Sequence, residues 1–238
     1  MTKSISGCVI LFAFNGLLQA TVINTTDPGV VSTFQTGATV TNFESISGKT
    51  AKTITSYNSG DSVDPTAFVF DQIAGVKFSV GGMVGTNEPA LYSLSGGISG
   101  DANSPTTVLG PVDFDFTTKF NSGAVIEIFF PTKVSKVGFW LNKSLGDVKI
   151  IAADTNFAFS HETETTLEDG TVTAGNFVGI ERSSADIGGF KILALTDKGF
   201  TIDDFTVGGG SSSSVPEPAT VGFLACGLAA LMLLRFRR

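Results

Sequence analysis

The chain has 238 residues, with 15 Lys and Arg against 22 Asp and Glu, a net charge of −7, and 28 Gly, 21 Phe and 2 Cys. That acidity disfavours nucleic acid and anionic lipid as partners. Cys8 and Cys226 both fall in the hydrophobic ends, which excludes disulfides and thiol catalysis from the region between them.

At the N-terminus Lys3 supplies a small positive region, Ile5 to Leu18 form an interrupted apolar stretch, and Ala20 is a small residue suited to cleavage. Residues 1–20 thus resemble a secretory signal peptide, and export is the expected route. Ile5-Ser6-Gly7-Cys8 matches a lipoprotein box on paper, but the apolar core follows Cys8 instead of preceding it, so lipidation is rejected. Without residues 1–20 and 219–238 the chain keeps 11 positive and 22 negative charges. The remaining 200 or so residues suit one domain.

Residues 21–37 read as a polar, turn-rich lead-in, and the first strand is expected over Ala38 to Phe43. Further on, Val76, Phe78 and Val80 share one face, as do Val112, Phe114 and Phe116. Val125 to Phe130 is continuous enough for a buried central strand, stopped by Pro131. Val137, Phe139 and Leu141 form the next inward stripe, and a turn over Asn142 to Asp147 leads to Val148, Ile150 and Ala152, the pattern of a hairpin. More strands are expected at Asn156 to His161, Asn176 to Glu181 and Gly189 to Leu195, and no segment of the body shows a capped helical period. The expected fold is all-β, a single antiparallel, jelly-roll-like β-sandwich over 38–207, flanked by the signal peptide and a C-terminal transmembrane helix.

In the last strand Phe200 and Ile202 share one parity, while Phe205 and Val207 share the other. One extra residue absorbed at Asp203-Asp204 keeps the core side constant, so a β-bulge is expected there, aiming both carboxylates outward. Residues 208–214, Gly and Ser throughout, form a flexible linker.

The chain ends with Val215-Pro216-Glu217-Pro218, an apolar run over 219–234, and Arg235-Phe236-Arg237-Arg238. A helix can begin at the second Pro but cannot extend back through the first. About 16 residues span about 24 Å, short of a ~30 Å hydrocarbon core but long enough with snorkelling ends. The arginines stay cytoplasmic by the positive-inside tendency, so the body lies across the membrane. This composite resembles the PEP-CTERM sorting segment of Gram-negative bacteria, which covers about a tenth of the chain. The resemblance implies a membrane enzyme, exosortase, as partner, recognition through Val215, Pro216, Glu217 and Pro218 with Arg235, Arg237 and Arg238 behind the helix, and cleavage near Glu217. It further implies transient inner-membrane anchoring, and delivery to the cell envelope, cell surface or extracellular matrix alongside extracellular polysaccharide. A permanent tail anchor is the competing reading.

A second resemblance rests on Phe43-Glu44, Gly75-Val76-Lys77-Phe78, Val137-Gly138-Phe139-Trp140, Phe177-Val178-Gly179-Ile180 and Ile202-Asp203-Asp204-Phe205. These resemble lectin-like or carbohydrate-binding jelly rolls, in which an acid of the first strand and one of the last hold structural calcium. Glu44 and Asp203 are the matching residues, and Asp204 adds an adjacent carboxylate. Solvated strand-edge acids are the competing reading, and no other cofactor is expected.

Asp113 and Asp115 alternate with apolar neighbours and read as a solvated strand face. Glu162, Glu164, Glu168 and Asp169 follow His161, the one His of the chain, in a Thr-rich stretch that reads as a loop. With no elbow motif, no second imidazole and no way to pair the acids, no enzymatic activity is expected. By parity Trp140 faces away from the core that takes Phe139; it is either packed under a loop or a sugar platform. Tyr57 and Tyr92 lie in turn-rich stretches and are candidates for a ligand rim. The sequence therefore reads as an exported, non-catalytic β-sandwich that binds polysaccharide or contributes structure to a matrix, with a tail-anchored protein and a glycan-active enzyme as rivals.

Overall fold

The computed structural model describes residues 21–80, 88–113, 115–154 and 166–209, all within the compact unit Gln19–Ser211. The expected signal peptide and sorting segment, His161, Glu162, Glu164 and the strand expected at Asn156 to His161 lie outside the described residues. No helix among the described residues is long and apolar enough to cross a membrane.

In chain order the elements are β1 (Thr21–Thr25), α1 (Pro28–Gln35), β2 (Ala38–Thr41), β3 (Lys52–Ile54), β4 (Lys77–Ser79), β5 (Ala90–Leu94), β6 (Thr107–Gly110), β7 (Val125–Val134), β8 (Lys136–Leu141), β9 (Val148–Ala153), β10 (Thr166–Val172), β11 (Phe177–Glu181), β12 (Ile187–Ala194) and β13 (Ile202–Gly208). Among the described residues these strands make two sheets. One runs β1, β11, β8, β13, β6, β5, β3, with β2 also paired to β13; the other runs β10, β9, β12, β7, β4. The fold is an all-β, two-sheet sandwich.

The core lies between the sheets, filled by the inward-facing alternate residues that the period-2 pattern marks. Val76, Phe78 and Val80 are buried, and so are Val137, Phe139 and Leu141 from one sheet and Val148, Ile150 and Ala152 from the other. Two edge-to-face ring pairs join the sheets, Phe139 with Phe190 at 5.9 Å and Phe78 with Phe205 at 5.5 Å between centroids. Val125 to Phe130 is interior to its sheet, between β12 and β4.

Several expectations are corrected. β7 does not stop at Pro131 but continues to Val134; the pairing with β12 jumps from Gly189↔Phe129 to Ile187↔Val134, and Pro131 sits in that irregularity, where no ladder N–H is required of it. β8 and β9 belong to different sheets, so the turn over Asn142 to Asp147 is a crossover and not a hairpin. The sheets are not wholly antiparallel, since β3 runs parallel to β5. Phe114 lies outside the described residues, and Val112 and Phe116 do not share a strand: Phe116 has φ 57°, its N–H donates to the Asp113 carbonyl, and its exposed ring stacks on Phe68. Glu168 and Asp169 lie in strand β10 instead of a loop, with Asp169 paired to Lys149 at 2.7 Å.

The region read as a lead-in contains both β1 and a helix. Asp27 caps α1 by accepting the Gly29 N–H at 2.8 Å, and Pro28 occupies the first turn, where its missing N–H costs nothing. α1 lies on the outer face of the larger sheet, burying Val31 and Phe34 beside Phe177 and Trp140. Gly138 and Gly179, which face each other across β8 and β11, form the socket for Phe34. A Cβ on either would stand 2.8 Å from its ring. Lys136 closes the far end, donating to the carbonyl of Phe34 at 3.1 Å, pairing with Glu181 at 3.1 Å and lying 5.5 Å from the Phe34 ring centroid. A cation at a helix C-terminus also complements the backbone dipole.

Candidate functional site: an acid-lined groove beside the helix

The β-bulge expected in the last strand is present. Asp203 pairs with Trp140 and Thr206 with Gly138, so three steps on β13 match two on β8. Asp204 takes the strain with φ 47°, and Phe200, Ile202 and Phe205 are all buried in the core as the parity argument requires. On the other edge of β13 the bulge separates two partners, β6 at Ile202 and β2 from Phe205 to Gly208. This split brings together Glu44, which follows β2, and the 101–107 segment, which leads into β6.

The Asp203 carboxylate points the opposite way from the expectation. It is 2% exposed and holds the loop by its amides, accepting from Asn103 N at 2.9 Å, Ser104 N at 2.6 Å, Ser104 Oγ at 2.6 Å and Asp204 N at 2.7 Å. Glu44 acts likewise on the next residues, accepting from Thr106 N at 2.8 Å and Thr107 N at 2.7 Å. Burial raises the Glu44 pKa, but these amides and the Thr107 hydroxyl outweigh it and hold the carboxyl below its ordinary value. Asp204 accepts from Asn103 Nδ2 at 2.5 Å, and its carboxyl is pushed above the ordinary value, chiefly by burial, with the Asp203 charge adding to the effect. Among the described residues no group of three or more His, Cys, Asp and Glu is placed to hold a metal ion. The three acids expected at calcium are neighbours, with Glu44 and Asp203 spent on backbone N–H groups.

Asp204 instead opens onto a shallow groove of about 390 Å³ between α1 and the sheet. Pro28, Val31, Ser32 and Gln35 of α1 form one wall, Val40 of β2 and Asn103 the other, and Trp140 and Asp204 complete the lining. Trp140 is only partly exposed and lies edge-on to Phe177 at 5.7 Å. Parity placed it outside the core correctly, but what packs over it is the helix α1 and not a loop. The groove carries hydrogen-bonding groups of both senses, one carboxylate and one indole, with no basic side chain in its lining.

The two tyrosines are elsewhere. Tyr92 is fully buried in a second cluster with Phe68 and Phe120, its hydroxyl donating to the Pro111 carbonyl at 3.2 Å, so it is no rim residue. Tyr57 is half-buried, accepting from Asn142 Nδ2 and donating to Asp101 Oδ2 at 3.2 Å. Burial pushes both phenols above their ordinary pKa. Asn103, Gln35 and Ser32 were not singled out from sequence, since each is an ordinary polar residue until α1 and the 101–107 loop meet over β13.

No protein-family model and no curated protein matches the chain. Among solved structures, TmCBM61 in complex with beta-1,4-galactotriose resembles it over 55% of this chain and 86% of that one, with 17% identity and a TM-score of 0.32.

Proposed function

We propose that this chain is an exported, non-catalytic β-sandwich protein that reaches the cell envelope or extracellular matrix through its PEP-CTERM-like end, and that the groove beside α1 binds polysaccharide. The supporting observation is the lining of the groove. A sugar ring presents an apolar C–H face that lies against an indole, and hydroxyls that need both donors and acceptors; Trp140, Asp204, Asn103, Gln35 and Ser32 supply both requirements. The volume lies at the small end of ligand pockets and suits one or two sugar units of a longer chain.

Trp140→Ala is expected to weaken retention on the glycan that the wild-type chain prefers by about tenfold or more, the scale of one lost aromatic stack. Affinity electrophoresis through gels carrying a range of neutral, basic and acidic polysaccharides measures it. Retention of the wild type on none of them, or equal retention of the variant, overturns the reading. For the sorting half, intact mass of protein recovered from the native host is expected to show a chain starting near Thr21 and ending near Pro216 to Pro218. A chain that keeps Arg238 makes the protein a permanently anchored one.

A further inference from the structure

We infer that the groove beside α1 selects polysaccharide bearing free amino groups, that is, hexosamine chains lacking their N-acetyl groups, over neutral and acidic chains. This rests on the polysaccharide reading above and names the chemical class of the ligand.

The charge distribution carries the inference. Asp204 lines the groove, and Asp203 and Glu44 lie close enough behind it for their charges to bear on its titration. The remaining lining is uncharged: α1 contributes Ser32 and Gln35 with its apolar residues, β2 contributes Val40, and the loop contributes Asn103. Among the described residues the ion pairs are made elsewhere, at Lys119–Asp113, Lys136–Glu181, Lys149–Asp169, Arg182–Asp186 and Lys191–Glu127. With no basic side chain in the lining, these three like charges raise the potential energy of any carboxylate or sulfate brought into the groove, and lower that of an ammonium. An ammonium group donates three hydrogen bonds, for which the Asp204 carboxylate and the side-chain carbonyls of Asn103 and Gln35 are the acceptors in the lining. An N-acetylated sugar has neither the charge nor the extra donors.

Proton linkage gives a second signature. The groups facing Asp204 are Asp203, Glu44, Asn103 and Ser104, and burial with the Asp203 charge favours its protonated form. An ammonium ligand favours the ionised form, so affinity falls as pH drops through the Asp204 pKa, and falls again at high pH as the amine loses its proton.

The test is calorimetric titration of the full chain with a fully de-N-acetylated glucosamine hexamer, its N-acetylated counterpart and a galacturonate hexamer. The amine hexamer is expected to bind about tenfold or more tightly than the acetylated one, from the charge-assisted contact with Asp204, and the uronate not at all. Asp204→Asn is expected to close the gap between the amine and acetylated hexamers. Its fold is preserved, because Asn is at home at the φ of 47° found there. Asp71→Asn, which removes an exposed acid outside the groove, is expected to leave the gap unchanged. Equal binding of the two glucosamine hexamers, with both lost in Trp140→Ala, overturns the amine selectivity and leaves the polysaccharide reading standing. No binding of any hexamer, with no retention on any polysaccharide, overturns both. A gap that survives Asp204→Asn, or shrinks equally in Asp71→Asn, assigns the preference to the overall acidity of the protein and overturns the inference.

Discussion

Phe34→Ala is expected to lower the stability of the folded protein by about 3–5 kcal/mol, the range for removing a buried ring. Phe34 is 2% exposed, and its ring sits in a socket floored by the backbone of Gly138 and Gly179, with Phe177 edge-on at 5.3 Å. Backbone held in a β-ladder cannot move to fill the vacancy, so the contacts of the ring are lost outright. The loss extends beyond the ring. α1 has eight residues, too few to be stable alone, and it is held to the sheet chiefly by Val31 and Phe34. Without Phe34 the helix frays and the groove loses a wall, so the glycan retention proposed for that groove is expected to fall together with stability. Urea unfolding of variant and wild type measures the first effect, and a loss under about 1 kcal/mol would show that the socket does not hold the helix. The complementary substitutions Gly138→Ala and Gly179→Ala fill the socket from below, and are expected to destabilise in the same assay.

Asp203→Asn is expected to cost about 2–3 kcal/mol, despite being isosteric. Both oxygens of the carboxylate accept, Oδ2 from two loop amides and Oδ1 from the Ser104 hydroxyl and the Asp204 amide. An amide side chain presents an NH2 group to one of these donor pairs in either orientation, leaving donors facing donors in a buried site. Hydrogen exchange at the amides of Asn103 and Ser104 is expected to accelerate more than exchange in the distant strand β9, because the loop is released before the sandwich opens. Uniform acceleration, or none, would count against the loop-holding role. Glu44 acts on the same loop with a definite pH sign: its folded pKa lies below the unfolded value, so its contribution is present above the unfolded pKa and is lost as pH falls through the folded one. The loop is therefore expected to loosen at acid pH, below the ordinary carboxylate range.

Much of the sandwich was legible because its strands alternate cleanly. Val137, Phe139 and Leu141 face in and Trp140 faces out by parity alone, and the parity break at Asp203-Asp204 required the bulge. The helix was harder to see. Asp27-Pro28 is a good start signal, but eight residues with Val31 and Phe34 as the only buried ones show too little of the 3.6 period to stand out. Strands β3, β5 and β6 were also missed, and β7 was cut at Pro131 because the irregular pairing that tolerates a proline is a property of two strands and not of one.

The sequence alone determined the acidic balance, the β character, the faces on which β4, β8 and β9 are buried, and the position of the bulge, because each of these follows from local periodicity or charge. The direction of the Asp203 carboxylate, the assignment of β8 and β9 to opposite sheets, and the meeting of Trp140, Asn103, Gln35 and Asp204 in one groove were decided only by the tertiary structure. Those outcomes depend on which edges pair. The bulge that one strand's parity requires becomes a site only when β2 and β6 arrive on either side of it, bringing Glu44 and the loop amides with them, and a glycine pair becomes a socket only when α1 folds back over the sheet.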